Sequence, residues 1–319
     1  MKWFLIFITT VFFMFPELTF GQCCSAGNPA GGDGSNDGLN KNELRIFTSF
    51  KHSLSTDYFH LDSKEEIPYI EKSYFDYSNL SLSYGLSQRF TLHSELGFFY
   101  NKTQELKINN QDEMIKSQGL GDLSFYMRYV ALKTVKPVSQ LVFSAGTRLP
   151  VGAFNEQIDG VTIPISLQPS SGALKLNASV FYSRKSPEKK FGWNSFALFE
   201  WSQEIDKGFL IYKYGHYLQL SVAGLYAITK DLNIITNAKV ELRGKDTREL
   251  EQEVESSGGA VVFINPQVSY CLKKRWGIIA MADIPLYKYV NGYQLTNRFS
   301  FQFGVRKTLS LSKAKTENK

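Results

Sequence analysis

The chain has 319 residues, a net charge of +6 and a slightly negative mean hydropathy, with 25 Phe and 17 Tyr. That balance excludes a helical membrane protein, whose spans each need about 20 consecutive apolar residues. The 3 cysteines are too few to staple a domain of this size. The positive charge would suit an acidic partner, but the leader described next argues against nucleic acid.

Lys2 is followed by an apolar run from Trp3 to Phe15, which Pro16 breaks, and Thr19-Phe20-Gly21 offers a cleavage site. This is the pattern of a secretory signal over residues 1–21, with the mature chain starting near Gln22. Residues 22–42 are rich in Gly, Ser and Asn and read as an irregular segment, a candidate plug for whatever follows. They include Cys23 and Cys24, whose thiols are weak candidates for a soft metal. Gln22 is a poor residue to precede a lipidated cysteine.

Twelve strands are predicted from there on: 43–54, 74–86, 89–100, 121–132, 139–150, 173–184, 193–203, 214–228, 232–243, 260–272, 277–287 and 297–309. Their signal is alternation with period two. In the fourth, Leu123, Phe125, Met127 and Tyr129 alternate with Asp122, Ser124, Tyr126 and Arg128. In the ninth, Ile234, Thr236, Ala238, Val240 and Leu242 alternate with Asn233, Asn237, Lys239, Glu241 and Arg243. A basic polar tail, 312–319, closes the chain.

The connections differ by parity. After odd-numbered strands they are mostly long: 55–73, 101–120, 151–172, 204–213, 244–259 and the shorter 288–296. After even-numbered strands they are mostly short, beginning with Ser87-Gln88. Long loops therefore gather at one end of the sheet, as extracellular loops do in outer-membrane barrels. A soluble sandwich would pack apolar faces together but would not need this polarity of loop length. Closure removes the free edges that lipid cannot hydrogen-bond. The expectation is an all-β, antiparallel up-and-down transmembrane β-barrel of about 12 strands over 43–311, with outer-membrane lipid against its apolar face. Tyr84, Tyr100, Tyr129, Tyr182, Trp193, Trp201, Tyr226 and Tyr270 lie near strand ends, where interfacial aromatics belong. The short turns carry Lys133, Lys136, Lys185, Lys189, Lys190, Lys230, Lys273, Lys274 and Arg275, whereas the long loops hold acidic runs such as Glu249, Glu251, Glu253 and Glu255. Solvation explains such charges; attraction to phospholipid headgroups or anionic solutes is the alternative.

The stretches GLGDLSFYMRYV (Gly119–Val130), FSAGTRLPVG (Phe143–Gly152) and LQPSSGAL (Leu167–Leu174) resemble the barrel family labelled putative MetA-pathway of phenol degradation, from about Leu44 to Leu311. The resemblance implies a small outer-membrane barrel that passes small, often hydrophobic or aromatic, molecules. Gly119 and Gly121 suit a loop re-entering the wall, Asp122 suits capping of backbone amides there, and Pro150 ends a strand.

The polar face nominates Arg89, His93, Glu95, Asp122, Arg128, Arg148, Lys175, Glu200, Lys239, Glu241, Arg243, Gln267, Asp283, Arg298 and Gln302 as lumen-lining residues. They form either a network of ion pairs filling the lumen or a selectivity lining. No catalytic residue is assigned. His52-Ser53 and His93-Ser94 are adjacent on strands, so the members of each pair point to opposite faces and cannot act together. No cofactor is called for. Cys271 faces the lumen near a short turn and could join a metal only if the N-terminus folded inward. The expected function is passive passage of a small solute across the outer membrane, after insertion by the barrel-assembly machinery. The alternative is a non-conducting barrel that binds a partner through its long loops.

Overall fold

The computed structural model describes residues 36–311, apart from 67–69, 109–110, 159, 187, 189, 209 and 273–275. The leader 1–21, Cys23 and Cys24, Lys189, the turn 273–275 and the tail 312–319 lie outside the described residues.

Among the described residues, nineteen strands follow one another. The first seven are β1 (Glu43–Leu61), β2 (Ser63–Glu65), β3 (Ile70–Gly85), β4 (Phe90–Ile108), β5 (Gln111–Leu120), β6 (Leu123–Val135) and β7 (Val138–Leu149). β8 (Gln157–Ile158) and β9 (Val161–Thr162) form a small ribbon in a loop. β10 (Lys175–Lys185) and β11 (Phe191–Ser202) return to the wall, and β12 (Ile205–Asp206) and β13 (Ile211–Lys213) leave it again. Then come β14 (Tyr217–Ala227), β15 (Leu232–Arg243), β16 (Thr247–Arg248), β17 (Gln252–Glu253), β18 (Gly259–Leu272) and β19 (Trp276–Ser310).

The main sheet runs β19-β18-β15-β14-β11-β10-β7-β6-β4-β3-β1, and β1 pairs with β19 to close it into a ring, leaving β2 and β5 outside the ring. β19 serves as two passes of the wall. Its residues 276–290 pair with β18 and its residues 293–310 pair with β1, all antiparallel. The reversal falls at Asn291-Gly292, where Gly292 has φ 58°. Lys307 then lies 4.3 Å over the ring of Trp276, and Lys288 Nζ donates to Thr296 Oγ1 at 3.0 Å. Counted by passes, the wall matches the expected dozen.

Alternation sets which face is which. On β6, Ser124, Tyr126 and Arg128 are buried, while Phe125 and Met127 are exposed. On β15, Asn237 and Lys239 are buried while Ile234 is exposed. Exposed apolar side chains continue around the ring at Leu80, Leu92, Phe143, Leu176, Leu220, Val268 and Phe301. This inversion, polar within and apolar without, is the arrangement a lipid surround requires. Among the described residues no helix is long and apolar enough to cross a membrane.

One expected loop is a sheet. Residues 101–108 continue β4, and 111–120 return as β5, paired from Phe98↔Leu120 to Ile108↔Gln111. Their side chains do not alternate, as in a hairpin with no face against lipid. The ladder persists there without the sequence signal that marks it inside the bilayer.

Candidate lumen and its two closures

The inward charges gather in two groups on different parts of the ring. In the first, Lys51 Nζ donates to Asp283 Oδ2 at 3.0 Å, linking β1 to β19. Lys239 Nζ lies 3.8 Å from Asp283 Oδ1 and 2.8 Å from Glu241 Oε1. Asn265 Nδ2 also donates to Asp283 Oδ1, and Lys239 sits 4.4 Å over the ring of Phe263. In the second group, Lys175 on β10 stands directly opposite Arg148 on β7. Like charges so placed repel. Glu200 on β11 lies between them, 3.4 Å from Arg148 Nη2 and 3.5 Å from Lys175 Nζ. His93 joins on the β4 side, with Nδ1 2.7 Å from Ser83 Oγ and Nε2 3.8 Å from Glu95 Oε2. Charges withdrawn from water need such partners.

One sector of the inner surface is apolar. Val130, Val142, Phe181, Phe196, Leu198 and Tyr217 form one buried cluster across β6, β7, β10, β11 and β14. The pairs Val130↔Val142, Phe181↔Val142 and Phe181↔Phe196 carry it from strand to strand. Sequence reasoning missed this sector because it searched the inner face for polar residues. The available signal was a lapse of alternation, as in Leu141-Val142-Phe143, where both faces are apolar.

Glycines on the inner face let aromatic rings lie along the wall. A Cβ built on Gly97 would fall 1.7 Å from Tyr77 Oη, one on Gly146 would fall 2.6 Å from Tyr126 Cδ1, and one on Gly304 would fall 2.5 Å from Phe47 Cζ. Each ring occupies the space that a side chain would have taken on the neighbouring strand.

Both ends of the lumen are crossed by chain. At the short-turn end, residues 36–40 enter the mouth. Gly38 N donates to Gln140 Oε1 at 3.1 Å and Gln140 Nε2 donates back to Gly38 O at 3.3 Å. Leu39 N donates to Thr91 Oγ1 at 2.9 Å, and the Leu39 side chain is 2% exposed. Asp37 pairs with Arg45, and Lys133 Nζ donates to Asn40 Oδ1 at 2.8 Å. The partners sit on β1, β4, β6 and β7, so the segment is held across part of the ring. Gly85 has no side chain to obstruct it, since a Cβ there would meet Asn40 O at 1.9 Å.

At the long-loop end, the connection from β7 to β10 folds inward. Ile163, Leu167 and Ala173 are buried. Lys102 Nζ donates to Gln168 O at 2.7 Å, and Ser117 Oγ donates to Leu167 O. Asp122 Oδ1 accepts from Ser170 Oγ at 2.6 Å and from Ser171 N at 2.9 Å. Tyr214 Oη donates to Ser171 O at 2.9 Å. Gly119, at φ 152°, packs against Pro169.

Of the residues nominated from sequence, His93, Glu95, Arg128, Arg148, Lys175, Glu200, Lys239, Gln267, Asp283 and Gln302 are buried on the inner side. Asp122, Glu241 and Arg243 are half-buried, and Asp122 serves as a clamp on the inward loop. Arg89 and Arg298 are exposed, contrary to expectation. Arg89 belongs to the β3–β4 turn, before the alternation of β4 begins, and its Nη1 donates to Tyr129 Oη at 3.2 Å. Arg298 is turned out by a bulge. The β1–β19 register slips between Leu54↔Phe299 and Ser55↔Asn297, so Asn297 takes the inward place.

His52 and Ser53 do face opposite ways. His52 Nδ1 is 2.7 Å from Asp76 Oδ1 on the outer face, whereas Ser53 is 1% exposed on the inner. Cys271 is a free, half-buried thiol. Among the described residues no group of His, Cys, Asp and Glu is arranged to hold a metal ion.

Residues 59–303 match the family described as "Putative MetA-pathway of phenol degradation". A comparison with curated proteins finds no match. Among solved structures, the COG4313 outer membrane channel from Pseudomonas putida F1 is similar at a TM-score of 0.70 and 12% identity, over 88% of this chain and 100% of that one. The NanC porin gives a TM-score of 0.47 at 10% identity, over 83% of this chain and 100% of that one. A FadL homologue from Pseudomonas aeruginosa gives 0.43 at 10% identity, over 94% of this chain and 100% of that one.

Proposed function

The chain belongs to the family described as "Putative MetA-pathway of phenol degradation", and from that premise we propose that it is a passive outer-membrane channel for a small amphipathic solute, stoppered at its periplasmic end by its own N-terminal segment. The observation that carries this reading is the seating of Gly38 and Leu39 against Gln140 and Thr91 within the mouth. The segment is held by a few hydrogen bonds, the Asp37–Arg45 ion pair and one buried leucine, a set weak enough to release reversibly. The inner surface supports the solute class: an apolar sector, Val130 to Tyr217, lies in the same lumen as the charges of Arg148, Lys175 and Glu200. A solute with an apolar body and a polar end finds surface for both. Transport needs no catalytic group, and none is assigned. Insertion by the barrel-assembly machinery is part of the same reading, as is the assignment of the short-turn end to the periplasm.

Planar-bilayer recording of the chain with and without residues 22–40 tests it, paired with swelling assays using small neutral aromatic solutes. Removal of the segment is expected to raise conductance and solute entry. Equal conductance and equal swelling in the two forms would overturn the stopper.

A further inference from the structure

The short-turn end carries a sector of outward charge and aromatic surface that the lumen does not use. We infer that it seats the headgroup of an anionic phospholipid from the periplasmic leaflet; the inference takes its membrane side from the reading above. The sector runs over the neighbouring hairpins β6–β7, β10–β11 and β14–β15. Lys136, Arg184, Lys185, Lys190 and Lys230 are all exposed there, against only Glu188 and Asp231 among the described residues of the same turns.

Three features place this charge at the headgroup level. First, the apolar belt ends beside it: Leu132, Val135, Phe191 and Ile228 are exposed at the same hairpins. Second, aromatic pairs mark an interface there, with Tyr182 and Trp193 at 5.1 Å and Phe191 and Tyr226 at 5.1 Å. Amphipathic rings settle where hydrocarbon meets headgroup. Third, Arg184 stands directly across the ladder from Trp193, and on the other side of Trp193 stands Gly224. A Cβ on Gly224 would meet nothing within 4 Å, so the outer wall is notched beside the tryptophan. A lipid placed here lays an acyl chain along the notch, its glycerol against Trp193 and its phosphate toward Arg184, with Lys185 and Lys190 exposed at the nearby rim. Arginine and lysine near an anionic surface attract it, and they do so less as salt rises.

The test uses the chain without residues 1–21, refolded in vesicles, with Trp201→Phe and Trp276→Phe leaving Trp193 as reporter. Its fluorescence is quenched by brominated phosphatidylglycerol or brominated phosphatidylcholine mixed into the bilayer. The anionic lipid is expected to be preferred by roughly fivefold or more, the factor one lysine contributes at an anionic surface. The preference should fall toward parity in molar salt and in the triple variant Arg184→Gln, Lys185→Gln, Lys190→Gln. Parity in the parent protein would overturn the inference, as would a preference that survives both salt and the triple variant. Folding of each variant is read independently from its heat-dependent gel mobility, and the salt titration needs no variant. Failure here with a working stopper would leave the channel reading intact.

Discussion

Gly38 and Gln140, 102 positions apart in the chain, exchange two hydrogen bonds through the Gln140 amide. A carboxamide can accept and donate at once, so it is matched to a peptide unit that offers an N–H and a carbonyl. Replacing Gln140 by Ala removes both bonds while leaving the wall strand intact. At about 1 kcal/mol for each bond, the released fraction of the N-terminal segment should rise by about thirtyfold. Longer or more frequent single-channel openings would register it, and unchanged gating would count against the stopper.

Locking should do the reverse. Leu39→Cys with Thr91→Cys, in a background with Cys23, Cys24 and Cys271 all changed to Ser, sets two thiols where a backbone-to-side-chain bond of 2.9 Å now lies. The oxidised form is expected to conduct less than the reduced one, with a reductant restoring current. Current that ignores oxidation, once mass spectrometry has confirmed the bond, would argue that solutes bypass this segment.

Asp283 serves two buried lysines, Lys51 and Lys239. Asp283→Asn leaves both with less compensation inside the wall. A loss of about 3–5 kcal/mol is expected, the scale for removing one member of a buried ion pair. Urea unfolding from lipid vesicles would report it as a lowered midpoint, and a midpoint equal to the parent's would show that these charges are well solvated.

Glu200→Gln asks about selectivity instead. It removes the negative charge between Arg148 and Lys175. Charged rings tune passage through a pore, so the reversal potential in a salt gradient should shift toward anion preference. A shift toward cations would place the conduction path away from this group.

Gly97→Val tests the rings laid along the wall. Its side chain would displace Tyr77, whose hydroxyl occupies the Cβ position to within 1.7 Å. Forcing the ring inward should reduce conductance and destabilise by about 1–3 kcal/mol, as overpacking does. Adding Tyr77→Ala to the same chain should recover much of the conductance.

Much of the wall was legible in sequence because lipid imposes a strict period. Leu123 to Tyr129 and Ile234 to Leu242 alternate without a break, and the strands found there agree closely with expectation. Legibility failed where that constraint relaxes. Lys102 to Ile108 pair with Gln111 to Ser117 beyond the alternating part of the wall, and backbone pairing there leaves no pattern in side chains. Arg298 was misplaced because one bulge reverses the parity of everything near it, and no residue type announces it. Phe196 and Leu198 escaped notice because polarity was the criterion for an inner face. The Gly-rich composition of 22–42 suggested an irregular segment, but composition could not say that Thr91 and Gln140 would receive Leu39 and Gly38.

The join between β1 and β19 has a consequence for biogenesis. Glu43 lies opposite Ser310, so the seam unites nearly the two ends of the described chain. Every other pair in the wall joins strands near one another in sequence, but this pair joins the first to the last. Contacts of such separation form late and slowly. Until then β1 presents a bare edge, and residues 36–40, immediately before it, lie beside an open cleft. The stopper therefore does not have to thread a finished hole. It can be laid in sideways and enclosed when the seam closes, so that the same event completes the wall and shuts the mouth.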